Sequence, residues 1–135
     1  MSTGVGERAW VVVVPHHARG ASLARHRLAA DLTRGLALAP GLLDDALAVV
    51  SELVGNAVRH ARPLPGGVVR VAWAVRPDAL ELRVTDGGSA QHPRVCAVGA
   101  EAISGRGLAI VAALAARWGV TRDGLSQSVW AELIY

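Results

Sequence analysis

Lysine is absent from this chain and cysteine nearly so. All fourteen basic residues are arginine, and Cys96 is the single cysteine in 135 residues. One cysteine excludes an internal disulfide and fits a reducing compartment, so a cytoplasmic location is expected. Long apolar runs are also missing. The longest, Leu108–Ala116, has nine residues, against the about 20 needed to cross a bilayer as a helix. Near the N-terminus no basic region precedes an apolar stretch, so neither a secretory signal nor a membrane partner is expected. The net charge is +3, yet the arginines are scattered, with no basic block and no aromatic-rich strand on which bases could stack. Nucleic acid is therefore not the expected partner; an acidic protein suits the surplus better. The exclusive use of arginine points to a GC-rich genome more than to a function. No repeat and no linker interrupts the chain.

What the chain has in quantity is apolar surface. Hydrophobic residues make up 52% and the mean hydropathy is +0.35, which suggests a partner surface or a homodimer. The length suits one domain burying about two-thirds of its unfolded surface. Residues 1–8 read as a loose tail and 9–135 as one domain. Trp10–Val14 reads as a buried strand stopped by Pro15, and Ala21–Gly35 as an amphipathic helix. A second helix follows Pro40. Val68–Val75 and Ala79–Asp86 form a hairpin across Arg76-Pro77-Asp78. Ser89–Ser104 lacks periodicity and is either a lid over a ligand or a surface connection. A helix over about Gly107–Trp118 leads into strands near Gly119–Arg122 and Ser128–Ile134. These elements predict an α+β two-layer sandwich: a mixed, mostly antiparallel sheet covered on one face by helices.

Three segments carry chemistry. In SELVGNAVRHA (Ser51–Ala61), Glu52, Asn56 and His60 stand at i, i+4, i+8, drifting only about 40° per step, so they share one edge of a helix. Leu43, Leu47, Val50, Val54, Ala57 and Ala61 mark the opposite, core side. Acid, amide and imidazole on one edge are either a metal and general-base site or a solvated face. In LELRVTDGG (Leu80–Gly88), Leu80, Leu82 and Val84 alternate with Glu81, Arg83 and Thr85, the period of a half-buried strand. Asp86 keeps the phase of the leucines and points to the core side, where a carboxylate is costly without hydrogen bonds. The plainer reading is a turn. In SGRGL (Ser104–Leu108), glycines open an apolar helix, where free N–H groups and the helix dipole favour phosphate; glycine also serves tight turns.

In this order the three segments resemble the nucleotide site of the GHKL ATPase superfamily, and most closely its anti-sigma factor serine/threonine kinase branch. ELVGNAVRHA resembles the N-box, Asp86-Gly87-Gly88 the first glycine box, and Gly105-Arg106-Gly107-Leu108 the second. ARHRLAADL and SVWAELIY resemble the first helix and last strand of that branch, so the likeness runs from about Trp10 to Tyr135. The resemblance implies a histidine kinase-like ATP-binding fold with ATP and Mg²⁺ as cofactors. It implies Glu52 as general base, Asn56 as Mg²⁺ ligand and Asp86 as acceptor from the adenine amino group. Gly88 would let the base lie close, Gly105 and Gly107 would bracket the phosphates, and Arg106, Leu108 and Ser128 would complete the nucleotide site. Mg²⁺ prefers oxygen ligands and takes few from protein. Two positions depart from the branch: Ala90 where a further glycine is frequent, and Gln127-Ser128 where Lys-Thr is frequent. Without the cation, Arg106 would either supply charge near the phosphates or face outward and bind a partner.

The resemblance thus implies a regulator that transfers the γ-phosphate of ATP to a serine or threonine of an anti-anti-sigma (STAS-type) partner, sequesters a sigma factor, or both. The alternative is a nucleotide-binding interaction switch with little or no kinase activity. His16-His17 has no metal-ligand companions and reads as a loop. Trp73, Trp118 and Trp130 read as core or interface aromatics.

Overall fold

The computed structural model describes residues 8–34, 40–89 and 106–135, with backbone alone at 106 and 107. Five strands and three helices follow one another as β1 (Arg8–Pro15), α1 (Ala18–Leu32), α2 (Leu42–His60), β2 (Val68–Val75), β3 (Ala79–Asp86), α3 (Arg106–Leu114), β4 (Arg117–Asp123) and β5 (Ser126–Ile134). The strands form one sheet in the order β1-β2-β3-β5-β4, and all four pairings are antiparallel. The α+β two-layer class holds, and among the described residues the sheet is antiparallel throughout rather than mixed.

Alternation decides the layers. Along β2, Val69, Val71, Trp73 and Val75 are buried while the residues between them are not, and β5 repeats this with Gln127, Val129, Ala131 and Leu133. That face carries the helices. From α1 it receives Ala24, Leu28 and Leu32, spaced four apart, and from α3 it receives Leu108 and Val111. Each wholly buried Leu or Val side chain contributes about 1.5–3 kcal/mol, so this layer dominates stability. His17 caps α1, its Nδ1 accepting the Arg19 N–H at 3.1 Å. Trp73 donates its indole N–H to Asp31 Oδ2 at 2.8 Å, pinning β2 to α1, and Trp10 stacks on it with centroids 6.4 Å apart.

α2 is the central helix, packing on α1, α3 and β3. Its buried stripe is Leu42, Ala46, Val49, Val50, Leu53, Val54, Asn56 and Ala57. Leu43, Leu47 and Ala61, expected within the core, are only half-buried at its flanks. The stripe is rotated because α2 is covered from two sides, by α1 and α3, and not by the sheet alone. The rotation draws Asn56 inside.

The other sheet face is open. Arg76, Arg83 and Arg117 there bridge Glu81 and Glu132, which sit opposite each other on β3 and β5. Trp130 lies across Gly119, where a Cβ would press on its ring at 2.9 Å.

Several boundaries differ from expectation, among them the end of α1 at Leu32 and the start of β5 at Ser126. α1 starts three residues early because His17 supplies the cap. β1 reaches back to Arg8, into the expected tail. α3 ends at Leu114, and Arg117 and Trp118 belong to β4. The Ala116 N–H pairs with the Glu132 carbonyl at 2.8 Å, so sheet pairing takes the chain before the helix can run on. The expected lid beyond Ser89, with Ala90 and Gly105, lies outside the described residues.

Candidate functional site

The ends of α2 and β3 are tied together by backbone. Arg62 N–H donates to the Gly88 carbonyl at 2.9 Å, and Gly87 N–H donates back to the Arg62 carbonyl at 2.7 Å. Gly87 has no room for a side chain, since a Cβ would strike the carbonyl of Pro63. Gly88 has φ +83°, a left-handed conformation, and a Cβ there would run into the Leu125 carbonyl at the β4–β5 turn. Its smallness therefore serves, first of all, the approach of β5.

This frame holds Asp86. The side chain is 3% exposed and faces the helix layer, as its phase predicts. Gly88 N–H donates to its Oδ1 at 2.7 Å, closing an Asx-type turn. Burial pushes the carboxyl above the ordinary 3.8, while the Gly88 N–H and the nearby His16 and Arg122 pull it back. The result is a buried acceptor at the end of the sheet, a place where a ligand donor is worth most.

Asn56 belongs to the buried stripe of α2 and is 9% exposed, and its Oδ1 is buried with no hydrogen-bond partner. Such an atom costs about 1–3 kcal/mol unless something fills its valence. A lone carbonyl-type oxygen is the donor a Mg²⁺ ion shared with phosphates accepts, so the residue fits the expected metal. Among the described residues no group of three or more His, Cys, Asp and Glu gathers to hold a metal. Glu52, one turn before Asn56, is half-buried. His60, one turn after it, is exposed.

The other expected residues divide. Leu108 is buried in the core with Val111, so its side chain anchors α3. Arg106 and Gly107 open α3, whose N-terminus carries the free N–H groups. Ser128 is not brought to the site. Its hydroxyl is paired with that of Thr85 at 2.6 Å, and both belong to the open face of the sheet. The residue turned toward Asp86 is its neighbour Gln127, the strand partner of Asp86, 3% exposed with Oε1 buried and unpartnered. On β4 the next residue in this row is Arg122, whose Nη2 donates to the Ser89 carbonyl at 3.2 Å.

His16 lies in the loop between β1 and α1, as expected. Its Nε2 lies 2.8 Å from the Ala61 carbonyl and 3.2 Å from that of Ala57. Carbonyls only accept, so this nitrogen carries the proton and closes the C-terminus of α2. The contact spans 45 residues, and no local pattern signals it.

Comparison with known proteins bears on this arrangement. A family model described as histidine kinase-like ATPase domain matches residues 14–132. The crystal structure of the RsbU and RsbW domains of Rv1364c from Mycobacterium tuberculosis is similar in fold, with a TM-score of 0.70 at 18% identity. The match covers 93% of this chain but 32% of that longer one. No curated protein matches the sequence.

Proposed function

This chain belongs to the histidine kinase-like ATPase domain family, and from that premise we propose that it binds ATP between α2 and the ends of β3 and β5 and passes the γ-phosphate to a protein hydroxyl. One observation carries the reading. A buried acceptor, Asp86, and an unpartnered buried oxygen, Asn56 Oδ1, belong to two elements whose ends backbone hydrogen bonds lock together. Asp86 accepts from the adenine amino group, and Asn56 offers its oxygen to Mg²⁺. When bound, Mg²⁺ supplies charge neutralisation at the phosphates. The N-terminus of α3, from Arg106, offers N–H groups to the phosphate oxygens.

In the transfer Glu52 takes the proton of an incoming serine or threonine hydroxyl. The oxygen bonds to the γ-phosphorus as the bond to the ADP oxygen breaks, and ADP leaves. By the likeness of the N-box and glycine boxes to the anti-sigma factor kinase branch, the acceptor is a STAS-type anti-anti-sigma protein and the competing partner a sigma factor. Labelled ATP, Mg²⁺ and a panel of such proteins test this. Label should appear on serine or threonine and vanish with Glu52→Gln, while ATP affinity stays within about twofold. Loss of ATP binding in that variant would make Glu52 a structural residue.

A second reading keeps the nucleotide and drops the transfer. Among the described residues no side chain hydrogen-bonds or pairs with Glu52 to aim it, as befits a switch that only holds ATP and a partner. Absence of Glu52-dependent phosphoserine or phosphothreonine on every partner, with ATP bound, would establish it.

A further inference from the structure

We propose that Gln127 is a second reader of the base, acting with Asp86 on the exocyclic amino group of a purine; the inference rests on the nucleotide reading above and deepens it. The register carries it. Asp86 on β3 and Gln127 on β5 are direct partners, on the sheet face that bears the helices. Both are 3% exposed. Yet they differ in how their oxygens are used. Asp86 Oδ1 receives the Gly88 N–H, whereas Gln127 Oε1 is buried with no donor. The cation next in the row does not relieve it, because the Nη2 of Arg122 goes to the Ser89 carbonyl.

Natural cores rarely retain an orphaned acceptor, since replacing it by an apolar group of the same shape costs little or stabilises. Beside a residue that is itself an acceptor, the missing partner must be a donor. An exocyclic amine carries two protons, so one can go to Asp86 and the other to Gln127. This also changes what the Gln127-Ser128 departure means. The position bears on which base is bound, and not on contact with the γ-phosphate. Discrimination by such paired acceptors is steep, because a ligand lacking the amine leaves both oxygens buried and unmatched.

The test compares ATP with purine riboside triphosphate, which has hydrogen in place of the amino group, in the parent, Gln127→Met and Asp86→Asn. Methionine matches glutamine in length and needs no partner, so the variant should fold with an unliganded midpoint equal to or above the parent's. ATP affinity should fall about tenfold in Gln127→Met while affinity for the amine-free analogue is unchanged, a selective loss that a packing defect would not produce. Equal effects on both nucleotides, or none on either, would overturn the proposal. If Asp86→Asn alone lowers the preference for ATP, the nucleotide reading survives and Gln127 is only structural. If the parent binds the two nucleotides equally, the role given to Asp86 falls as well.

Discussion

Asp86 sits where a negative charge is expensive, and the sign of that expense can be followed with pH. Burial raises its carboxyl above 3.8 in the folded state. Below pH 3.8 folded and unfolded chains both keep the proton, and the group is neutral in stability. As pH rises through 3.8 toward the folded value, the unfolded chain ionises first and is favoured, so stability falls. Above the folded value the penalty is constant. Asp86→Asn removes it while keeping an acceptor for the Gly88 N–H. The variant should therefore melt higher than the parent at neutral pH without ligand, with the difference shrinking toward acid. It should also bind ATP about tenfold or more weakly, since a hydrogen bond to a charged group is worth about 1.5–3 kcal/mol. Thermal scans between pH 3 and 7 with and without ATP separate the two effects. A variant that melts lower at neutral pH would mean the carboxylate is structural.

At the scale of elements, the site depends on the C-terminal end of α2 staying where it is. Three ties hold it: the two Arg62 backbone bonds to Gly87 and Gly88, and the His16 N–H on the carbonyls of Ala61 and Ala57. His16→Ala removes a partly buried donor and should cost about 1–2 kcal/mol. Because the same helix end carries the glycine turn, ATP affinity should weaken with it. His16→Gln keeps a donor and should recover part of both losses; if glutamine and alanine behave alike, the ring merely fills space. Sequence pattern reached some elements and not others for physical reasons. The limits of β2 and β3 were legible because Val68–Val75 and Ala79–Asp86 alternate cleanly between turns. The end of α3 was not, since Leu114–Ala116 is as helix-compatible as what precedes it and only the distant Glu132 carbonyl stops it. Asp86 was legible because it keeps the phase of the β3 leucines, whereas the helical period put Asn56 on the polar edge and only the packing of α1 and α3 on α2 draws it inside. Gln127 and His16 were not legible: Ser126-Gln127-Ser128 has no apolar residue to set the phase, and the partners of His16 are 41 and 45 residues away.

The whole molecule divides its work between the two faces of one antiparallel sheet. The helix-bearing face buries the apolar core and ends, across β3, β5 and β4, in the row Asp86, Gln127 and Arg122. On the open face Arg76, Arg83 and Arg117 bridge Glu81 and Glu132. Partly exposed bridges of this kind are worth about 0.2–1 kcal/mol each, so folding rests on the core and the orphaned oxygens subtract from it. That arrangement makes the empty protein less stable than its core alone would allow, and makes ligand binding the step that recovers the difference. With Mg²⁺ and ATP at a hundredfold over Kd, the linkage gain is about 2.7 kcal/mol, which for a domain of this length is a rise of roughly 10 °C in Tm. GTP should give a much smaller rise, and chelating Mg²⁺ should reduce the ATP effect. An unchanged midpoint at millimolar ATP would leave the fold intact and the proposed site without a nucleotide, since a ligand that meets Asp86, Asn56 and Gln127 cannot satisfy them without stabilising the elements that hold them.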